Sequence, residues 1–241
     1  MRPFVEDIVN VKGDGHCGFR VIARHLGKDE EDHVLVRHAL INELKNHKSD
    51  YMPIYDTEER YNKILNGLHP PKCTIGVAPV DKWMTTPDMG HIVASCYKRP
   101  VVLLTLPETT GGVCETYFPI RSAPPLNPHS NIMCLCLIPD HYLHVILKEG
   151  CPLPPSCTEW MNNKIGEAEN WHFAFLDRQN AYNELMSKEP KPPKKPTNEH
   201  NPIVCDDTPT PQKKEQEVEW TEDMEEDDNL GMSLDLLDRL L

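Results

Sequence analysis

The chain has 241 residues, 38 of them acidic against 25 basic, for a formal net charge of −13 at pH 7, and it carries nine cysteines. A length of this order buries a large core without help from metals or disulfides, an odd cysteine count with no paired spacing argues against a disulfide framework, and the acidic balance argues against direct nucleic-acid binding. No run approaches a membrane span and no cationic, apolar leader opens the sequence, so no membrane partner and an intracellular setting, cytoplasmic or nuclear, are expected.

In chain order, the first legible element follows Asp14-Gly15-His16-Cys17-Gly18-Phe19-Arg20. Phe19, Val21, Ile22, Ala23 and Leu26 read as a short buried helix closed by Gly27, which puts Cys17 at its first turn. Residues 34–44, with Val34, Ile41 and Leu44 among charges, and Tyr61, Ile64, Leu65 and Leu68 ahead of Pro70-Pro71 read as two cover helices. Asp88 is the expected cap of a helix bearing Met89, Ile92, Val93 and Cys96. Trp83, just before it, reads as a core aromatic or as the wall of a peptide channel. Residues 101–106 and 116–120 read as strands. Residues 132–138 form a continuous apolar run, Pro139-Asp140 a hairpin turn, and 141–148 a second strand that His141 opens at a sheet edge. Residues 167–188 place Trp171, Phe175, Tyr182 and Leu185 on one helical face that packs back on the domain.

The chemistry concentrates at Cys17. At the start of a helix, unpaired amides and the positive end of the dipole favour thiolate over thiol and lower the cysteine pKa. Gly15 and Gly18 leave room for a substrate, and the amides of residues 14–17 are placed to hold the oxyanion that forms when a thiolate attacks a carbonyl. A general base must complete the pair, and His141, at the mouth of its strand, is the best candidate of twelve histidines. His144 points to the opposite strand face and reads as a satisfied structural histidine. His16 adjoins the nucleophile and reads as a loop or substrate contact. His25, His33, His38, His47, His91 and His172 read as solvated or capping residues on helices, and His69, His129 and His200 fall in proline-rich connections.

Asp14-Gly15-His16-Cys17-Gly18-Phe19-Arg20, with the distant Asp140-His141-Tyr142, resembles the ovarian tumour (OTU) family of papain-like cysteine peptidases. Asp81-Lys82-Trp83-Met84, Pro87-Asp88-Met89-Gly90 and Cys151-Pro152-Leu153-Pro154-Pro155 are similar to the branch of that family found in mobile-element-derived proteins. The resemblance covers residues 1–187 and implies an α+β fold with a small central β-sheet flanked by helices. It implies a deubiquitinase, an isopeptidase acting on ubiquitin or ubiquitin-like conjugates, with Cys17 as nucleophile, His141 as general base and no cofactor. Much of the family carries an orienting Asn or Asp two residues after the histidine, where this chain has Leu143, which cannot accept an imidazole N–H. Some members are thought to use the aspartate three residues before the cysteine, here Asp14, which equally reads as a cap of its own loop; Asp140 is a weaker alternative, and a water is another. A catalytically inactive binding module of the same fold is the competing expectation.

No metal is expected, because Cys134-x-Cys136 fits one face of a buried strand and Cys151 with Cys157 lacks zinc-ligand spacing. Residues 188–241 read as a disordered tail. From 190 on they hold seven prolines and fourteen acidic against six basic residues, too little apolar surface to offset ordering. The tail contains a lysine-proline patch at 191–195, a β-prone Pro202-Ile203-Val204 segment, an acidic block at 215–228, and Leu230, Leu234, Leu237 and Leu241 at helical spacing, which together suit an unknown protein partner.

Overall fold

The computed structural model describes residues 1–72, 75–105 and 113–188. The expected tail lies outside them from residue 189 onward, as do Cys73 and the far end of the strand expected at 101–106. The fold is mixed α/β, with a five-stranded sheet among helices. Two apolar segments form its centre, β2 (Val101–Thr105) and β4 (Met133–Ile138), which run parallel with Val101 opposite Met133. Every residue of β2 and the first four of β4 are buried, the pattern of strands covered on both faces. Cys134 and Cys136 are core residues there.

Beside β4 lies β5 (His141–Leu147), joined to it by the Pro139-Asp140 turn, with Ile138 opposite His141. Proline followed by Asp140 at φ 57° is the residue order of a type II turn. Beyond β5 comes β1 (Val5–Val9), a strand the sequence did not announce, and on the far side of β2 comes β3 (Glu115–Tyr117). The sheet order is therefore β1-β5-β4-β2-β3. Two expectations change. His141 opens its strand, yet β5 is interior and not an edge, and the strand expected at 116–120 shrinks to three residues because the chain turns away to bury Phe118 and Ile120.

Cys17 is the first residue of α1 (Cys17–His25), whose exit is closed by Gly27 at φ 68° with Lys28 N–H returning to the Ala23 carbonyl. This helix lies against β5 and β4 and under α2 (His33–Asn46). The buried stripe of α2 is Val36, Leu40 and Leu44 with Arg37 and Ile41, whereas Val34 is exposed. Two helices follow: α3 (Lys48–Tyr55), which the sequence did not signal, and α4 (Glu58–Leu68), which carries the expected Tyr61, Ile64 and Leu68. Thr57 caps α4 by accepting the Arg60 N–H. Next comes α5 (Asp88–Tyr97), which packs on β2 and β3; Asp88 is its first residue and pairs with Arg60 instead of capping it.

The short α6 (Thr158–Asn163) and the long α7 (Glu169–Lys188) close the other flank. Phe118 meets Trp160, Trp171 and Phe175 at ring separations of 5.2, 6.0 and 5.2 Å, an aromatic cluster that fixes α6 and α7 to the sheet. The proline-rich 151–155 segment is tied to the same helix. Arg178 Nε donates to the Cys151 carbonyl and Gln179 Nε2 to the Pro154 carbonyl, satisfying oxygens that an extended proline segment cannot pair within itself. No helix among the described residues is long and apolar enough to cross a membrane.

Candidate active site

The sheet register brings the distant parts of the site together. Because β1 and β5 are antiparallel with Val9 opposite His144, moving forward along β1 means moving back along β5 toward His141. Asn10, the residue after β1, thereby reaches the imidazole, and His141 Nε2 lies 2.8 Å from Asn10 Oδ1. An amide oxygen only accepts, so Nε2 carries the proton and Nδ1 keeps its lone pair. That nitrogen sits beside the loop leading to Cys17: a Cβ on Gly13 would stand 3.8 Å from both Nδ1 and Cε1.

Cys17 reaches the same end of β5, where the backbone amide of Tyr142, next to His141, favours the thiolate electrostatically. A cleft of about 260 Å³ opens here, lined by Cys17, Trp83, Met84, Thr86, Asp140 and Tyr142 among others. Trp83 is thus a wall of the cleft, and its indole N–H is fixed on the Ala78 carbonyl at 2.8 Å.

Asp14 does not hold the imidazole. Its carboxylate receives Arg20 Nη2 at 2.6 Å, Arg20 Nε at 3.2 Å and the His16 N–H at 3.1 Å, so it caps its own loop. Arg20 is itself 2% exposed and reaches on to Glu31 at 2.8 Å. A cation that deep needs its carboxylates, which is the physical reason for Asp14. At longer range, Asp14 still favours a proton on His141 electrostatically. Of the loop amides, the N–H of His16 is spent on Asp14.

Gly15 and Gly18 are required by packing more than by substrate access. At Gly15, φ 79°, a Cβ would stand 2.5 Å from Trp83 Nε1, and at Gly18 it would stand 2.7 Å from Met84 Cβ. The segment at 78–84 is thus pressed against the cysteine loop, and the Ala78 N–H donates to the Asp14 carbonyl at 2.9 Å.

Sequence reasoning missed three residues of this arrangement, Asn10, Arg37 and His33. Arg37, fully buried, donates to His16 Nδ1 at 2.9 Å, to the Gly67 carbonyl at 2.8 Å and to the Lys82 carbonyl at 2.7 Å, and lies over the Phe19 ring. His33 stacks on His16 with ring centroids 4.3 Å apart. His16 is therefore clamped as a loop residue. The signals were weak: an arginine within an apolar helical stripe was the only visible sign, and Asn10 has no motif.

The electrostatics differ from the expected thiolate. Burial raises the Cys17 thiol above its ordinary value, and the amides of Tyr142 and Gly18 offset this only in part. Burial also lowers His141, with Asp14 pulling the other way. Desolvation disfavours the charged form of each group.

Among the other described histidines, His33, His91 and His144 are buried, whereas His38, His69 and His129 are exposed as expected. His144 packs on His25, centroids 4.1 Å apart, with its Nδ1 buried and unpartnered, so it is structural without being satisfied. His33 and His91 are buried, not solvated or capping. His91 lies 3.7 Å from the Cys157 sulfur, a second cysteine–histidine pair. Both residues have no exposed surface, so no carbonyl substrate can approach them there.

No protein-family model matches the chain, and no curated protein does. Among solved structures it is similar in fold to the viral OTU domain protease from Farallon virus, at 19% identity over 58% of this chain and 83% of that one, TM-score 0.41. It is also similar to the OTUD1 OTU domain, at 15% identity over 58% and 84%, TM-score 0.42. A third similar structure is the Hazara virus OTU bound to ubiquitin, at 15% identity over 58% and 80%, TM-score 0.40.

Proposed function

We propose that this chain is a cysteine-type isopeptidase of ubiquitin or ubiquitin-like conjugates, with Cys17 as nucleophile, His141 as general base and Asn10 as the residue that orients the base. The observation that carries the reading is the hydrogen bond from His141 Nε2 to Asn10, which leaves Nδ1 unprotonated on the side of the cysteine loop. When a carbonyl enters the cleft, Nδ1 takes the Cys17 proton as sulfur attacks carbon, and the carbonyl oxygen becomes the oxyanion. With His16 N–H engaged by Asp14, the amides of Gly15 and Cys17 are the candidates to receive that oxygen. His141 then protonates the departing lysine amine, and a water deprotonated by the same nitrogen hydrolyses the acyl-enzyme.

The ubiquitin-like substrate class rests on the resemblance carried by residues 14–20 and 140–142. The peptidase domain is assigned to residues 1–187, with 188–241 as an appended segment for a protein partner. The competing inactive module drew its force from Leu143, and an acceptor supplied by Asn10 removes that ground. An electrophilic ubiquitin probe decides between them. It labels the full chain at Cys17, loses the label in Cys17→Ala and His141→Gln, and keeps it in His144→Gln. A folded protein that stays unlabelled by this and by ubiquitin-like probes would leave only the binding module.

A further inference from the structure

Away from the cleft, three elements converge on a second cluster of metal-ligating side chains. His91 lies in the middle of α5, while Cys157 and Glu159 open α6, and their ligand atoms all lie within 4.8 Å of one another. The segment entering α6 runs along β3, with Thr116 bridged to Ser156 and the Cys157 N–H donating to the Thr116 carbonyl at 3.0 Å.

We propose that His91 Nε2, Cys157 Sγ and the Glu159 carboxylate form a zinc site with three protein ligands. The donor set is one thiolate, one imidazole and one carboxylate, a combination that zinc favours over harder cations. The sulfur–nitrogen distance of 3.7 Å is close to the edge of a tetrahedron with zinc bonds of about 2.3 and 2.0 Å. The sulfur–oxygen distance is 2.7 Å, where the thiol proton now lies between Cys157 and Glu159. Zinc replaces that proton: the S–H bond breaks, a sulfur–zinc bond forms, and the proton leaves to solvent. Glu159 is partly exposed and supplies the way in, whereas His91 and Cys157 have no exposed surface.

His91 and Cys157 are wholly buried, and the Cys157 sulfur stands between His91 Nε2 and the Glu159 carboxylate. A divalent cation held by the three fastens α6 to α5. The inference is independent of the chemistry at Cys17.

The test uses the full chain, reduced and stripped with a chelator, titrated with cobalt(II) and then with zinc(II) against a competing indicator. Expected is a sulfur-to-cobalt charge-transfer band that saturates at a single site, is displaced by zinc, persists in Cys17→Ala and is missing in Cys157→Ser. Glu159→Gln, at the most exposed ligand, should weaken zinc binding about tenfold or more and decides the matter if Cys157→Ser does not fold. No saturable band in the wild type, a band that survives Cys157→Ser, a band lost in Cys17→Ala, or unchanged affinity in Glu159→Gln would each overturn the site.

Discussion

At the residue scale, two carboxamide and carboxylate side chains near the cysteine divide tasks that a motif alone assigns to one. Asn10 fixes which imidazole nitrogen carries the proton, and Asp14 neutralises a buried arginine. Asn10→Ala should therefore lower kcat/KM about 10- to 100-fold with an unchanged melting curve. Asp14→Asn should cost about 2 kcal/mol in urea unfolding, because Arg20 loses a charged partner at 2% exposure, with a smaller effect on rate. Equal rate losses in both variants would contradict the division. The same residues predict a pH profile. Since burial lowers His141 from the ordinary 6.5, the neutral base persists below that pH, and kcat/KM should fall only as the pH drops through the lowered value. Because the Cys17 thiol is raised above 9.0, no loss is expected on the alkaline side up to that point. An acid limb centred above 6.5, measured on a fluorogenic substrate, would contradict a lowered imidazole.

At the element scale, the cysteine loop is shaped by what presses on it. Gly18 lies inside α1 against Met84, and the contact a methyl group would make is with Met84 Cβ, which cannot swing aside as the end of a side chain can. Gly18→Ala should destabilise the fold by about 1 to 3 kcal/mol and reshape the cleft wall formed by Trp83 and Met84. Urea unfolding with a stability equal to wild type would mean that the 83–86 segment moves freely away from α1. The helix over 17–25 and the hairpin of β4 and β5 were readable because their signals are local: a closing glycine, a continuous apolar run, a proline-led turn. β1, α3 and α6 were not, since five to eight residues of mixed polarity carry no clear period and their pairing partners lie far along the chain.

At the scale of the whole molecule, every element of the candidate active site falls between Asn10 and Tyr142, and α7 ends at Lys188. A chain of residues 1–188 should then unfold cooperatively, with a melting temperature close to that of the full chain, and react with the ubiquitin probe at a similar rate. Ending it before α7 instead removes Trp171 and Phe175 from the cluster around Phe118, each worth about 3 to 5 kcal/mol, and should leave no folded protein by circular dichroism. Loss of labelling in the 1–188 chain would place part of the working site in the segment beyond it.

The helix that begins at Cys17 and the hairpin whose second strand His141 opens were determined by the sequence alone, because each announces itself through neighbours within a few residues. The partner of the His141 imidazole was not. Asn10 reaches His141 only through the antiparallel register of β1 with β5, and His91 meets Cys157 only where α5 packs against the start of α6. Such pairings, 131 and 66 residues apart along the chain, are products of strand alignment and helix packing, which linear spacing does not encode. Tertiary structure also bears on the thiol: helix position argued for a lowered pKa, and burial raises it instead.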